Sequence, residues 1–354
     1  VINPRTRSCL AVMLAAVLSI AMAAQATTVR DLYMGQVAVE DRSQSELSRA
    51  ASDALSQVLV KVSGSTEVLA LPEVLSALPE AMSQVQQFSY ALTGNEEQPL
   101  AARFEFDRRW VSQLLRQAGA PLWTANRPEV LLWLVQDGPE GRQFVNVETA
   151  PELVAALEAG FARRGVPLRF PLLDLTDAAA LSAEQAWNLN ATVLQQASSR
   201  YRVNEILAGR VTALGSGDWL GDWLYLFADG RLERSVEPQS IDSFLARGVD
   251  MVAENMADRY AVSAASESTG GVSMTVSNVM HYADYAAIVS WLEGLEPIEQ
   301  ANIEEISGDR LLLRLQARAD ASALKAIIEL NQALVPLAHS AASPSSELNY
   351  QWQN

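Results

Sequence analysis

The sequence predicts an α+β protein made of several small domains. Three observations carry that reading. The chain has 354 residues, 49% hydrophobic and 19% charged, enough apolar side chains for more than one core. Stretches with apolar residues at three- and four-residue steps alternate with stretches of period two. Stretches rich in Pro or in small residues separate three such blocks, at 28–122, 129–260 and 271–354, after a distinct segment at 1–26. The expected units are a small α/β sandwich, a mixed-sheet α/β domain and a ferredoxin-like βαββαβ domain.

Residues 1–26 carry Arg5 and Arg7, then an apolar run over 10–22, then Ala-Ala-Gln-Ala at 23–26. A positive start, a short apolar run and small-x-small cleavage sites after Ala23 and Ala26 predict a secretory signal peptide. Cys9, the single cysteine, precedes the apolar run and would leave with it. The expected location is the periplasm. No later stretch reaches 18 consecutive apolar residues, so the mature chain is not expected to span a membrane.

In the first block, 32–40 reads as a strand and Asp41-Arg42 as a turn. Ser43 and Glu46 fit a capping box ahead of a helix with Leu47, Ala50, Ala51, Ala54, Leu55, Val58, Leu59 and Val62 on its apolar face. Gly64 is placed to stop that helix in the left-handed conformation. Pro72 and Pro79 divide 66–85 into short helices. Strands at 87–92 and 100–106 flank a hairpin loop at 93–99, and a helix at 107–118 carries Trp110, Val111, Leu114 and Leu115. Several stretches here, Asp41-Arg42-Ser43, Val58-Leu-Val-Lys-Val-Ser-Gly64, Ala118-Gly-Ala-Pro-Leu-Trp123 and Asn126-Arg-Pro128 leading to Trp133, resemble the exported bacterial envelope family catalogued as Domain of Unknown Function 2066, over 29–260. That resemblance implies an exported envelope protein and brings no assigned activity and no catalytic residues.

In the second block, the apolar run 130–135 predicts a strand covered on both faces. A helix at 151–164 ends at Gly165. A strand at 166–170, a helix at 183–200 and a strand at 205–214 complete an alternating pattern. Strands at 219–227 and 231–236, joined by a hairpin turn at 228–230, and a helix at 240–260 follow. The order resembles the N-terminal domain of Tol-type periplasmic assembly proteins. In the third block, past a small-residue linker at 261–271, a strand at 272–279, a helix at 282–293, strands at 298–306 and 309–317 and a helix capped by Asp320 precede a last strand with Leu348, Tyr350 and Trp352. Leu324, Ile327, Ile328 and Leu334 are read as the apolar face of that helix.

The formal charge is −16 and the pI about 4.6, so no nucleic-acid partner is expected. Only two histidines, His281 and His339, could serve a nucleophilic triad. Neither lies in a stretch that suggests positioned partners. Gly215-Ser-Gly lacks the Gly-Lys-Ser/Thr of a phosphate-binding loop. Asp218, Asp222 and Asp229 flank hairpin ends, where acids are commonly solvated. Lys61 is expected to extend to solvent near a helix end. No cofactor, metal site or catalytic residue is expected.

The expectation is a non-catalytic binding or assembly module of the cell envelope with a protein partner. The candidate contacts are Trp219, Trp223 and Tyr225, which alternate along one strand, and Arg42 at a strand-to-helix turn. The alternatives are an exported hydrolase using carboxylates from separate loops, and a small-molecule or lipid carrier.

Overall fold

The computed structural model describes residues 26–29, 31–92, 100–228, 230–262, 271–330, 333–337 and 348–353. Residues 1–25, which hold Cys9 and nearly all of the segment read as a signal peptide, the 93–99 stretch, Asp229, most of the 261–271 stretch and His339 lie outside the described residues. Among the described residues the fold is α+β, with ten helices and several sheets.

A three-stranded antiparallel sheet comes first, with β2 (Met34–Ala38) and β3 (Val85–Leu92) at the edges and β4 (Leu100–Phe106) between them. A short β1 (Ala26–Thr28) pairs antiparallel with β5 (Asn126–Pro128). Helix α1 (Gln44–Ser63) covers one face of the three-stranded sheet, burying Leu47, Ala51, Leu55, Val58 and Val62. Its start differs in detail from a reciprocal capping box. Ser43 Oγ accepts from the Glu46 amide at 3.3 Å, but Glu46 Oε1 accepts from Glu40, and Asp41 accepts from the Ser43 amide. Gly64 ends the helix at φ 79°, its amide donating to Val60. Two 3-10 turns flank α2 (Pro72–Ala77), and α3 (Arg108–Gln117) is capped by Asp107, whose Oδ1 accepts from Trp110 N at 2.7 Å.

The central sheet runs β11 (Gly230–Gln239), β10 (Trp219–Phe227), β9 (Glu205–Ala213), β6 (Val130–Gly138), β7 (Gly141–Phe144). Strands β6 and β9 are parallel, and a two-residue β8 (Leu168–Arg169) joins β6 in parallel at its other end. The first six residues of β6 are all buried because both faces are covered. Val130, Leu132 and Leu134 pack with α4 (Pro151–Arg164) and α8 (Ile241–Tyr260). Leu131, Trp133 and Val135 pack toward α5 (Leu175–Ala180), α6 (Ala183–Trp187) and α7 (Ala191–Ser198). The helix expected at 183–200 is therefore two, broken where Leu189 takes φ 49°. Past the apolar run, β6 continues to Gly138 and turns into a hairpin with β7 that the sequence reading did not include. Its polar sequence hid a four-residue edge strand that buries little.

In the last sheet the order is β13 (Ile298–Ser307), β14 (Arg310–Ala317), β12 (Val272–Ser277), β16 (Leu348–Trp352), β15 (Leu334–Pro336). Helices α9 (Tyr282–Glu293) and α10 (Ala321–Glu329) supply Ile288, Leu292, Leu324, Ile327 and Ile328 to its core. Leu334 lies in β15, not on α10. The last strand read from the sequence is β16, which runs parallel to β12, and β15 is a further short strand antiparallel to β16.

Arg127 ties the first two sheets together. It is fully buried, with no carboxylate in an ion pair with it among the described residues. Its guanidinium donates to five carbonyl oxygens: Thr124, Arg164, Gly165, Lys61 and Trp123, at 2.6–3.1 Å. Lys61 lies in the last turn of α1, and Arg164 and Gly165 close α4. The cation therefore sits where the negative ends of two helices converge, and it also stacks on Trp123 at 3.8 Å. Beside it, the buried Arg164 donates to Gly64 O at 3.0 Å.

Candidate functional site

A groove of about 710 Å³ lies between the outer edge of β2 and the C-terminal half of α4. Tyr33 O accepts from the Phe106 amide, and the Val39 amide donates to Leu100 O. Antiparallel alternation then turns the backbone groups of residues 33, 35, 37 and 39 toward β4 and those of 34, 36 and 38 toward the groove. Two outward groups are engaged by α1. The Gln36 amide donates to Gln57 Oε1 at 3.2 Å, and Lys61 Nζ donates to Met34 O at 2.7 Å. Among the described residues, the Gln36 carbonyl and the Ala38 amide have no hydrogen-bond partner. α1 can reach the edge because β2 has Gly35 beneath it. A Cβ there would lie 2.4 Å from Ala54 O.

The groove is cationic in a strongly acidic protein. Lys61, Arg103 and Arg163 line it against one carboxylate, Asp31. Burial pulls the Lys61 ammonium below its ordinary value of 10.5, Asp31 partly opposes this, and Arg127 and Arg103 add to it. Arg103 is oriented from β4 by Gln36 Oε1, at 3.2–3.3 Å. Lys61 thus departs from the expectation of a solvent-reaching lysine, since its ammonium is held on the strand edge. Asp31, Gln36, Gln57, Arg103 and Arg163 come from four separate segments. Sequence reading missed them because no local motif joins them.

The sequence-derived candidates are scattered. Trp223 and Tyr225 are fully buried, and Trp219 is half-buried. The Trp223 indole stacks on Phe244, with centroids 4.9 Å apart, and donates to Phe244 O at 3.1 Å. It fits only because Gly209 and Gly248 face it. A Cβ at either would approach the ring to 2.4–2.6 Å. Tyr225 donates to Glu205, which Arg259 grips through both nitrogens at 2.9–3.0 Å. Burial and the nearby Glu205 charge raise the Tyr225 pKa above its ordinary value, so the phenol keeps its proton and donates. These two aromatics are core residues, correcting their reading as surface contacts: α8 covers the strand face on which they alternate. Arg42 is exposed, stacks on Tyr90 at 4.9 Å and has no ion pair among the described residues.

Asp222 is tied to Arg210 at 2.8 Å and to Ser235 at 2.6 Å, while Asp218 pairs with Ser216 in its own turn. His281 precedes α9, and its amide donates to Asp284 Oδ2 at 2.9 Å. Among the described residues, no group of three or more His, Cys, Asp or Glu side chains is arranged to hold a metal ion. No helix among them is long and apolar enough to cross a membrane.

A family model described as a domain of unknown function (DUF8605) matches residues 26–124. This overturns the resemblance to Domain of Unknown Function 2066, because the matched family is a different one. Of the stretches behind that resemblance, the end of α1, Trp123 and Arg127 are buried, while Asp41, Arg42 and Ser43 are exposed. No curated protein matches the chain. Among solved structures, prolyl-tRNA synthetase from Giardia lamblia in complex with prolyl-adenylate aligns at 11% identity, with a TM-score of 0.16. The alignment covers 69% of this chain, which spans about half, 54%, of the synthetase chain. A likeness at that score carries no argument.

Proposed function

We propose that this chain is a non-catalytic binding module of the bacterial cell envelope, and that the groove beside β2 receives an extended, acidic segment of a partner protein. The observation that carries this reading is the open edge of β2, with the Gln36 carbonyl and Ala38 amide turned into a cationic groove. An added strand would satisfy both groups and lay side chains alternately along the groove. Carboxylates on that segment would meet Lys61, Arg103 and Arg163. The open groups are few because Lys61 and Gln57 cover the rest of the edge, which limits indiscriminate strand pairing.

Export to the periplasm belongs to the same proposal and is supported by the basic, apolar and small-residue pattern of 1–26. A ferredoxin-like character for the last sheet is supported by β14 lying between β12 and β13, antiparallel to both. A Tol-like role for the central sheet rests on element order alone.

The test is selection of displayed random peptides on the purified chain. The expected winners are extended and rich in Asp and Glu, and they lose binding to Ala38→Pro. Winners that bind the wild type and Ala38→Pro equally would overturn the reading.

A further inference from the structure

A second cavity, about 380 Å³, opens between α3 and the turn that leads into β13. Four guanidinium groups line it: Arg108, Arg109 and Arg116 from α3, and Arg318 from the segment after β14. Arg109 and Arg116 have no ion-pair partner among the described residues. Arg318 is held by Glu299, and Arg108 lies over the Tyr33 ring, 5.1 Å from its centroid. The carboxylate inside the cavity, Glu296, is occupied differently. Its Oε1 accepts from the Tyr33 hydroxyl at 2.6 Å. Burial and that neighbouring carboxylate raise the Tyr33 pKa, so the phenol keeps its proton and remains a donor.

In a chain with a net charge of −16, four arginines around one cavity make a local reversal of field. Their spacing on α3 is not a sequence of ion pairs along a helix surface, since no acid stands among them to neutralise Arg109 and Arg116. Guanidinium forks match phosphate geometry bidentately, and a phosphate offers three oxygens that several forks can share. The cavity is also within the size range of small-molecule sites. We propose that it binds a phosphate-bearing ligand, with Arg109 and Arg116 as its principal contacts and Arg318 closing from the last sheet. Glu296, left free on one oxygen, accepts a ligand hydroxyl or ammonium. The walls come from the first and last sheets, so an occupied site pins those two together beside the Tyr33–Glu296 bond.

The site shares no residue with the β2 groove, so it stands or fails independently of peptide binding there. The test uses the full chain and calorimetric titration with inorganic pyrophosphate and with glycerol 3-phosphate at low and high salt. Flotation on phosphatidylcholine vesicles, with and without phosphatidylglycerol, forms a second arm. The Arg109→Ala/Arg116→Ala double variant is compared with wild type, and Arg231→Ala, on β11 and outside the cavity lining, serves as a control. Thermal unfolding verifies that each variant is folded.

The expected result is salt-sensitive binding that the double variant weakens by about tenfold or more, while Arg231→Ala binds like wild type. Loss confined to the soluble esters assigns the ligand to free phosphorylated molecules. Loss of flotation as well assigns it to a lipid headgroup. Absence of binding in both arms, or equal binding by wild type and a folded double variant, overturns the proposal.

Discussion

Arg127 Nη2 donates to the carbonyl oxygen of Lys61 at 2.6 Å, while the Lys61 ammonium donates to Met34 O at 2.7 Å. One residue thereby joins the buried cation between α1 and α4 to the open strand edge. The same helix end that Arg127 satisfies places Lys61 at the groove.

Arg127→Met is expected to destabilise the protein by about 3 kcal/mol or more, because it leaves buried carbonyls at two helix ends without donors. Arg127→Lys keeps a charge but cannot reach all five acceptors, and is expected to lose about half as much. Urea unfolding midpoints, with unchanged slopes, are the check.

Trp223→Ala is expected to cost about 3–5 kcal/mol, since the emptied slot between Gly209 and Gly248 cannot collapse fully. Gly248→Ala pushes a methyl into the same ring and is expected to cost about 1–3 kcal/mol. Thermal unfolding of both variants tests this. A folded, wild-type-stable Trp223→Ala would show that the indole is not a core element.

Binding of an acidic peptide in the groove is expected to weaken as pH rises through the Lys61 pKa, which lies below 10.5. The ammonium attracts carboxylates while protonated, below that pKa, and the attraction is lost above it. Burial has the opposite consequence for stability. A base whose folded pKa is depressed makes the fold more stable as pH rises from the folded toward the unfolded value. Lys61→Arg is expected to bind with no such pH dependence, because a guanidinium stays charged. Peptide titrations at pH 7 to 10 on both proteins provide the comparison.

At the other end of α1, Glu46 is held down to about 2, mainly by Arg49, with help from the Glu40 amide. Its stabilising contribution is present above the ordinary carboxylate pKa and fades as pH falls from about 4.5 toward 2. Arg49 is exposed, so the effect is expected to be small and to shrink with salt. Acid unfolding of Glu46→Gln, expected to show a shallower loss over that window at low salt, checks it.

These residues also show what a single sequence discloses. Helix α1 was legible because Ser43, eight periodic apolar residues and Gly64 all signal one element. Polar Gly141–Phe144 gave no such signal for β7, and Leu189 broke a helix that its neighbours continued. The alternation of Trp219, Trp223 and Tyr225 marked a shared face but not what covers it. Burial by α8 depends on Gly248, far along the chain. The groove was illegible for a related reason: Asp31, Gln57, Arg103 and Arg163 converge only after β2, α1, β4 and α4 have packed.

The most direct test of strand addition at β2 is amide hydrogen exchange at Ala38, measured by NMR with and without a saturating selected peptide. Proline at 38 removes this donor while leaving the odd-numbered bonds to β4 in place, so it supplies the matched control. The account predicts fast exchange in the free chain and marked protection in the complex. Unchanged exchange at Ala38 under saturating peptide would contradict it.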